Sequence, residues 1–225
     1  FLRNGVFGRA VEAGILNVGI HDLRDYSGNR HRAVDDEPYG GGGGMVMTAP
    51  PWIRAVRSVC GTGSPWRVLL SPQGLPLNTT RVRGLSEREH LLLLCGRYEG
   101  LDERVIETVV DEEVSIGDFV ISGGECAAMV LMEAVSREIP GVVGRRSSVE
   151  QDSFRDGLLD HPHYTRPPVV EGLTVPEVLL SGNHAAIAEW RRRKALEATR
   201  AKRSDLLTGV SEGDSRPCAQ GPEER

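Results

Sequence analysis

Three short stretches of this 225-residue sequence join glycine to groups that bind or react: Ser71-Pro72-Gln73-Gly74, Gly96-Arg97-Tyr98-Glu99-Gly100 and Ser122-Gly123-Gly124-Glu125. Each follows an apolar, strand-like run. In α/β sheets the loops at the carboxyl ends of strands form the ligand site. One such loop reads equally as a turn. Three together point to a ligand held so close to backbone that a β-carbon would not fit. The ligand is not announced by a common nucleotide motif. Gly-x-x-x-x-Gly-Lys-Ser/Thr is absent, and so is Gly-x-Gly-x-x-Gly after the first strand. His161 and His163 have metal-like spacing without a third ligand in the pattern, and read as structural. The cysteines, at 60, 95, 126 and 218, form no Cys-x-x-Cys pair and no zinc pattern. They read as reduced core thiols of a cytoplasmic protein.

The elements that must carry these loops follow from periodicity. "ILNVGIHDL" (15–23) alternates apolar and polar residues and predicts a strand. A polar loop over 24–44 ends in five glycines. "PPWIRAVRSVC" (50–60) predicts a helix with proline in its first turn. "WRVLLSPQG" (66–74) predicts a strand stopped by Pro72 and Gly74. "HLLLLCGRYEG" (90–100) predicts a second strand whose unbroken apolar run suits a parallel sheet covered on both faces. A helix over 101–110, a strand over 113–122 and a helix over 124–138 complete the series. Residues 126–132 carry no charge, so this last helix is expected to be buried all round. Strands alternating with helices mean an α/β fold with a mainly parallel sheet.

From 141 to 182 periodicity fades and Pro, His and Gly increase. The chain then becomes a basic helix over 183–203, and the segment from 209 is expected to be disordered. Overall net charge is −5, yet residues 183–206 hold seven Lys/Arg against three Asp/Glu. That asymmetry suggests an anionic partner for the C-terminal part. With 39% hydrophobic residues the chain can build a core, and no run of about 18 apolar residues predicts a membrane span.

"YGGGGGMVM", "LLSPQG", "CGRYEGLDERV", "EVSIGDFVISGGE", "QDSF", "HYTRPP" and "VPEVLLSGNHAAIAEWR" occur in this order. Together, from about Gly5 to Leu207, they closely resemble the bacterial tRNA (guanine-N1)-methyltransferases of the TrmD type, in the SPOUT superfamily. The resemblance implies an α/β fold whose parallel sheet is tied in a deep trefoil knot, with a small helical C-terminal domain. The expected division is a methyltransferase domain over 1–143, a linker over 144–160 and a tRNA-binding domain over 161–225. Three knot loops would grip S-adenosylmethionine: Leu70, Ser71 and Pro72; Gly96, Tyr98 and Glu99; then Ser115, Ile116, Gly117, Asp118, Phe119, Val120 and Ile121, with Gly123 and Gly124.

The same resemblance implies the reaction: methyl transfer to N1 of the guanosine immediately 3′ of the tRNA anticodon. N1 carries a weakly acidic proton, so a base within hydrogen-bond reach is required. Asp152, by itself a polar linker residue, matches the family's catalytic aspartate. Arg137 matches an arginine expected to meet the guanine O6 as negative charge builds up there; Glu133, four residues earlier, could equally pair with it. His31, Asp35, Asp36, Tyr39 and Gly44 would cover the flipped base and its neighbour, with Ser148 a further substrate contact. Arg191, Arg192, Arg193 and Lys194 would meet tRNA phosphates. A cytoplasmic homodimer is implied, with cofactor and aspartate supplied by different subunits, and magnesium as an auxiliary ion for which the sequence offers no dedicated cage.

Several positions depart from the family. A strand and a Phe-Pro turn precede the position of Phe1 in relatives and lie outside this sequence. Gly43 and Ala127 stand where proline is usual. A non-catalytic, truncated tRNA-binding relic of the same fold is therefore the alternative, and a related enzyme acting on ribosomal RNA is a third.

Overall fold

A computed structural model describes residues 1–144 and 152–207. The chain divides into two compact units, Phe1–Val149 and Glu150–Arg225.

In the first unit a parallel sheet lies between two pairs of helices. The elements are α1 (Gly5–Glu12), β1 (Asp35–Asp36), β2 (Val46–Met47), α2 (Ala49–Cys60), β3 (Trp66–Pro76), α3 (Thr79–Ser86), β4 (Leu91–Cys95), α4 (Glu103–Val109), β5 (Glu112–Ser115) and α5 (Glu125–Ser136). The sheet runs β4-β3-β5, with β3 parallel to both neighbours. Strand side chains alternate between faces. Leu69 and Leu94 therefore join Trp52, Val56, Val105 and Val109 of α2 and α4. Val68, Leu70 and Val114 point the other way and join Val82, Leu85, Leu131 and Val135 of α3 and α5. Val68, Val105, Val114 and Leu131 are wholly buried, each worth about 1.5–3 kcal/mol in transfer free energy. The apolar run of β4 is thus explained: both of its faces are covered.

Local chemistry sets the element ends. Two prolines open α2. The Asn78 side chain accepts from Arg81 N at 2.9 Å at the start of α3, and Asp102 accepts from Arg104 N at 3.0 Å at the start of α4, each satisfying a helix-end donor. Arg67 in β3 holds Asp111 with both Nε and Nη2, at 2.7 and 2.5 Å, and its own amide donates to the same carboxylate at 2.8 Å. This clamp fixes the entry of β5 beside β3. Burial opposes ionisation of Asp111 less than the Arg67 hydrogen bond favours it, so its carboxyl lies below the usual carboxylate range.

Four sequence expectations are corrected. Residues 15–23 form no strand; an extended loop leads to a 3-10 turn at Leu23–Tyr26 capped by Asp22. Ile20 is 79% exposed, and without a ladder partner its alternation has no face to bury. β3 does not stop at Pro72 but bulges there and resumes: Leu70 and Leu75 both register with Val114. β5 ends at Ser115 rather than 122, because Gly117 takes φ +151°, where a strand cannot continue. α5 is not buried all round. Cys126, Met129 and Val130 are exposed, so its apolar surface exceeds what the described residues cover, and Cys126 is no core thiol.

The second unit holds a two-stranded hairpin, Val169–Val170 with Leu173–Thr174, a short helix Glu177–Leu180 and a long helix His184–Lys202. The Asn183 side chain caps the long helix at Ala186 N, 3.1 Å. Trp190 and Thr199 are its buried residues. Thr199 Oγ1 donates to Ala195 O at 2.7 Å and accepts from Leu159 N at 2.9 Å, tying the 159 segment to the helix.

Candidate functional site

β3 is the first strand of the sheet, β4 lies on one side of it and β5 on the other. The chain reverses its direction of winding between β3 and β5. A crevice opens at the carboxyl ends of strands at such a switch point, and the three glycine-bearing loops leave the sheet there.

Two of them are bound to each other, and the first is pressed against β5. Gly124 N donates to Gly96 O at 2.8 Å, and Arg97 bridges Gly123 in antiparallel fashion. Leu77 N donates to Ser115 O at 2.8 Å. A β-carbon on Gly74 would lie 2.4 Å from Val114 N, and one on Gly124 would lie 2.9 Å from Cys95 Cα. At both points backbone meets backbone, and only glycine fits. An ion pair missed in the sequence spans two loops: Arg97 Nε and Nη2 meet Glu125 Oε1 at 2.9 and 2.7 Å. Both motifs were visible, but nothing in their spacing couples residue 97 to residue 125. Burial, helped by Glu125, pushes the Cys95 thiol beneath these loops up to about 11, so it is a packing group rather than a nucleophile.

Within the crevice Leu70 is buried at the end of the regular part of β3, Ser71 Oγ accepts from Gln73 N at 3.1 Å, and Pro72 is exposed. Tyr98 takes φ +60° and is exposed, beside Gly96 and Glu99. Ser115 is buried, its hydroxyl donating to Gly117 O at 3.1 Å and accepting from Gly117 N at 3.2 Å. Ile116 is half-buried, while Asp118, Phe119, Val120 and Ile121 are exposed. The site thus offers turned-out backbone and apolar side chains, including Phe119 and Tyr98. That donor set fits an adenosyl group recognised through its ring faces and through backbone amides and carbonyls.

The glycine loop is anchored to this site. β1 pairs antiparallel with β2, placing Asp35 opposite Met47, so 37–45 forms the connecting loop. Glu99 N donates to Met45 O at 3.1 Å, and Met47 N to Gly100 O at 2.9 Å. Gly44, at φ +84°, faces the Glu99 side chain. Asp36 is exposed in β1, opposite Val46, and Tyr39 is exposed on the loop; His31, also exposed, lies outside the β1–β2 ribbon. Arg137 caps α5, its amide donating to Glu133 O at 3.4 Å. Ser148 lies outside the described residues. Asp152 and the basic cluster belong to the second unit. There Arg191, Arg192 and Arg193 are exposed, and Lys194 Nζ meets Glu197 Oε2 at 2.6 Å.

The fold defines an α/β protein with a parallel three-stranded sheet whose glycine-bearing loops gather at the carboxyl ends of its strands. The chain belongs to the tRNA (Guanine-1)-methyltransferase TrmD family, whose sequence profile matches residues 1–209. It is 53% identical over 210 residues to the tRNA (guanine-N(1)-)-methyltransferase of Photorhabdus laumondii, covering 92% of this chain and 84% of that protein. It is 50% identical over 217 residues to the protein of that name from Geobacter metallireducens, covering 96% and 89%.

Proposed function

We propose that this chain is a tRNA methyltransferase that transfers the methyl group of S-adenosylmethionine to N1 of the guanosine immediately 3′ of the anticodon. The observation that carries the reading is family membership along almost the whole chain. Half of all aligned positions are identical to proteins named for this reaction, which favours catalysis over the binding-only relic and over a ribosomal RNA substrate.

S-adenosylmethionine supplies an electrophilic methyl group. Leu70, Ser71, Pro72, Gly96, Tyr98, Glu99, Gly123, Gly124 and the 115–121 loop would hold it. The bulge at 71–74, tucked against β5, and the close approach of Gly124 to Cys95 support a knotted, SPOUT-type arrangement of these loops, a rare topology. Asp152 would take the N1 proton as the methyl group is accepted, and Arg137 would meet the charge building on O6. The 30–45 loop covers the flipped base, and Arg191, Arg192, Arg193 and Lys194 meet phosphates. Residues 1–143 form the methyltransferase domain, 144–160 the linker and 161–225 the tRNA-binding domain. Magnesium assists without an assigned ligand set. The enzyme works in the cytoplasm as a homodimer, a reading supported by the uncovered Met129 and Val130 on α5.

Nucleoside mass spectrometry of tRNA treated with enzyme and S-adenosylmethionine tests the reading. It predicts 1-methylguanosine at the position 3′ of the anticodon. Methylation of another atom, or none by a protein that still binds the cofactor, would refute it.

A further inference from the structure

The second unit contains a group of side chains that the proposed reaction does not use. Asp160 Oδ2 lies 2.9 Å from His163 Nε2, and Asp160 Oδ1 lies 3.5 Å from His161 Nδ1. All three donor atoms fall within 4.8 Å of one another. A tetrahedral ion with ligands at about 2.0–2.2 Å separates its donors by about 3.3–3.6 Å; the two Asp160 pairs already lie near that spacing, and the two imidazoles would draw together on binding.

A second observation points the same way. His161 Nδ1 is buried and has no hydrogen-bond partner, although its side chain as a whole is only 13% exposed. A buried polar atom of this kind costs about 1–3 kcal/mol unless something satisfies it. The 3.5 Å separation from Asp160 is too long for a good hydrogen bond. Asp160 is already arranged as a ligand: Oδ1 accepts from the His161 amide at 2.7 Å, which orients the carboxylate as outer contacts orient metal ligands.

The group sits at the edge of a cavity of about 510 Å³, lined among others by His161, His163, Tyr164, Arg166, Trp190 and Arg191. The His161 and His163 rings meet edge to face at 4.6 Å, and His161 and Tyr164 flank Trp190 at 6.5 and 6.2 Å. The sequence reading left the two histidines without a third ligand; the fold supplies it from the residue immediately before them.

We propose that Asp160, His161 and His163 bind a divalent transition-metal ion of the zinc class, with His161 Nδ1, His163 Nε2 and one Asp160 oxygen as ligands and the fourth position open to the cavity. Carboxylate and imidazole donors in a three-ligand set with an open position suit Zn²⁺ better than Mg²⁺, which prefers an oxygen octahedron. Bound there, the ion fixes the 160–163 segment beside Trp190.

The test uses the full chain without a polyhistidine tag, stripped with chelator and titrated with Co²⁺ in the visible range, then with competing Zn²⁺. The expected result is a four-coordinate Co²⁺ spectrum at one equivalent per chain, bleached by Zn²⁺. His163→Gln and His161→Ala should each weaken binding by at least about tenfold, while Cys126→Ser leaves it unchanged. Far-UV circular dichroism checks folding. His163 is mostly exposed, so its variant remains informative even if His161→Ala unfolds. Absence of the spectrum, or Co²⁺ binding that His163→Gln leaves intact, would overturn the proposal. Neither result depends on methyl transfer.

Discussion

At the scale of single residues, the most demanding positions are glycines pressed against backbone. Gly74 is the case nearest the site: an added β-carbon would meet the Val114 nitrogen at 2.4 Å. Gly74→Ala should cost about 1–3 kcal/mol, as over-packing does, and should weaken S-adenosylmethionine binding through the adjacent 71–73 loop. Gly84 in α3 has nothing within 4 Å of its β-carbon position, so Gly84→Ala should be neutral or stabilising by up to about 1 kcal/mol. Urea unfolding and calorimetry of both variants check this; equal stability of the two would contradict it. The glycines themselves were legible as punctuation. What each one touches was not, because Gly74 meets β5 and Gly124 meets β4 only once the chain is threaded. Asp160 shows the same limit: it neighbours His161 in sequence, but only the turn brings its carboxylate to both imidazoles.

At the scale of elements, the three strands of the sheet and the helices α2, α4 and α5 could be read from apolar runs and helix periodicity. α1 and α3 passed unread, since both are short and α3, TTRVRGLS, is largely polar. The 15–23 alternation misled, because a period of two records a capacity for pairing and not the presence of a partner. α5 misleads in the opposite sense: its uncharged stretch 126–132 predicts burial all round, while Met129 and Val130 face outward. If that face joins two copies, Val130→Asp should shift sedimentation from dimer to monomer and abolish methyl transfer, whereas an active dimer would exclude this face. The Arg67–Asp111 clamp gives a pH prediction. A carboxyl lowered in the folded state adds stability above its unfolded value and loses it as pH falls through the folded one. Asp111→Asn should therefore destabilise the protein by about 1 kcal/mol at pH 7. The gap to wild type should begin to narrow near pH 4, the ordinary carboxylate range, and close as pH falls through the lower folded value. A gap that stayed constant in urea titrations at both pH values would contradict the assignment.

At the scale of the whole molecule, the charge is divided: within an acidic chain, the long helix of the second unit exposes Arg191, Arg192 and Arg193. If these meet phosphates, replacing all three with alanine should weaken tRNA binding and reduce the slope of log affinity against log salt by about 2–3, measured by filter binding. An unchanged slope would move the contact elsewhere. Function was legible at this scale only through ordered motifs spread along the chain, because α/β periodicity alone serves many chemistries. Asp152 makes the point, since nothing in its local sequence distinguishes a base from a solvated linker aspartate. The most direct measurement is labelled methyl transfer to two tRNA transcripts that differ only in guanosine or adenosine immediately 3′ of the anticodon, with wild type and Asp152→Ala. The account predicts label on the guanosine transcript alone, falling by about 10²–10⁴ in the variant while cofactor binding persists. Label on both transcripts, or a rate untouched by the loss of Asp152, would contradict it.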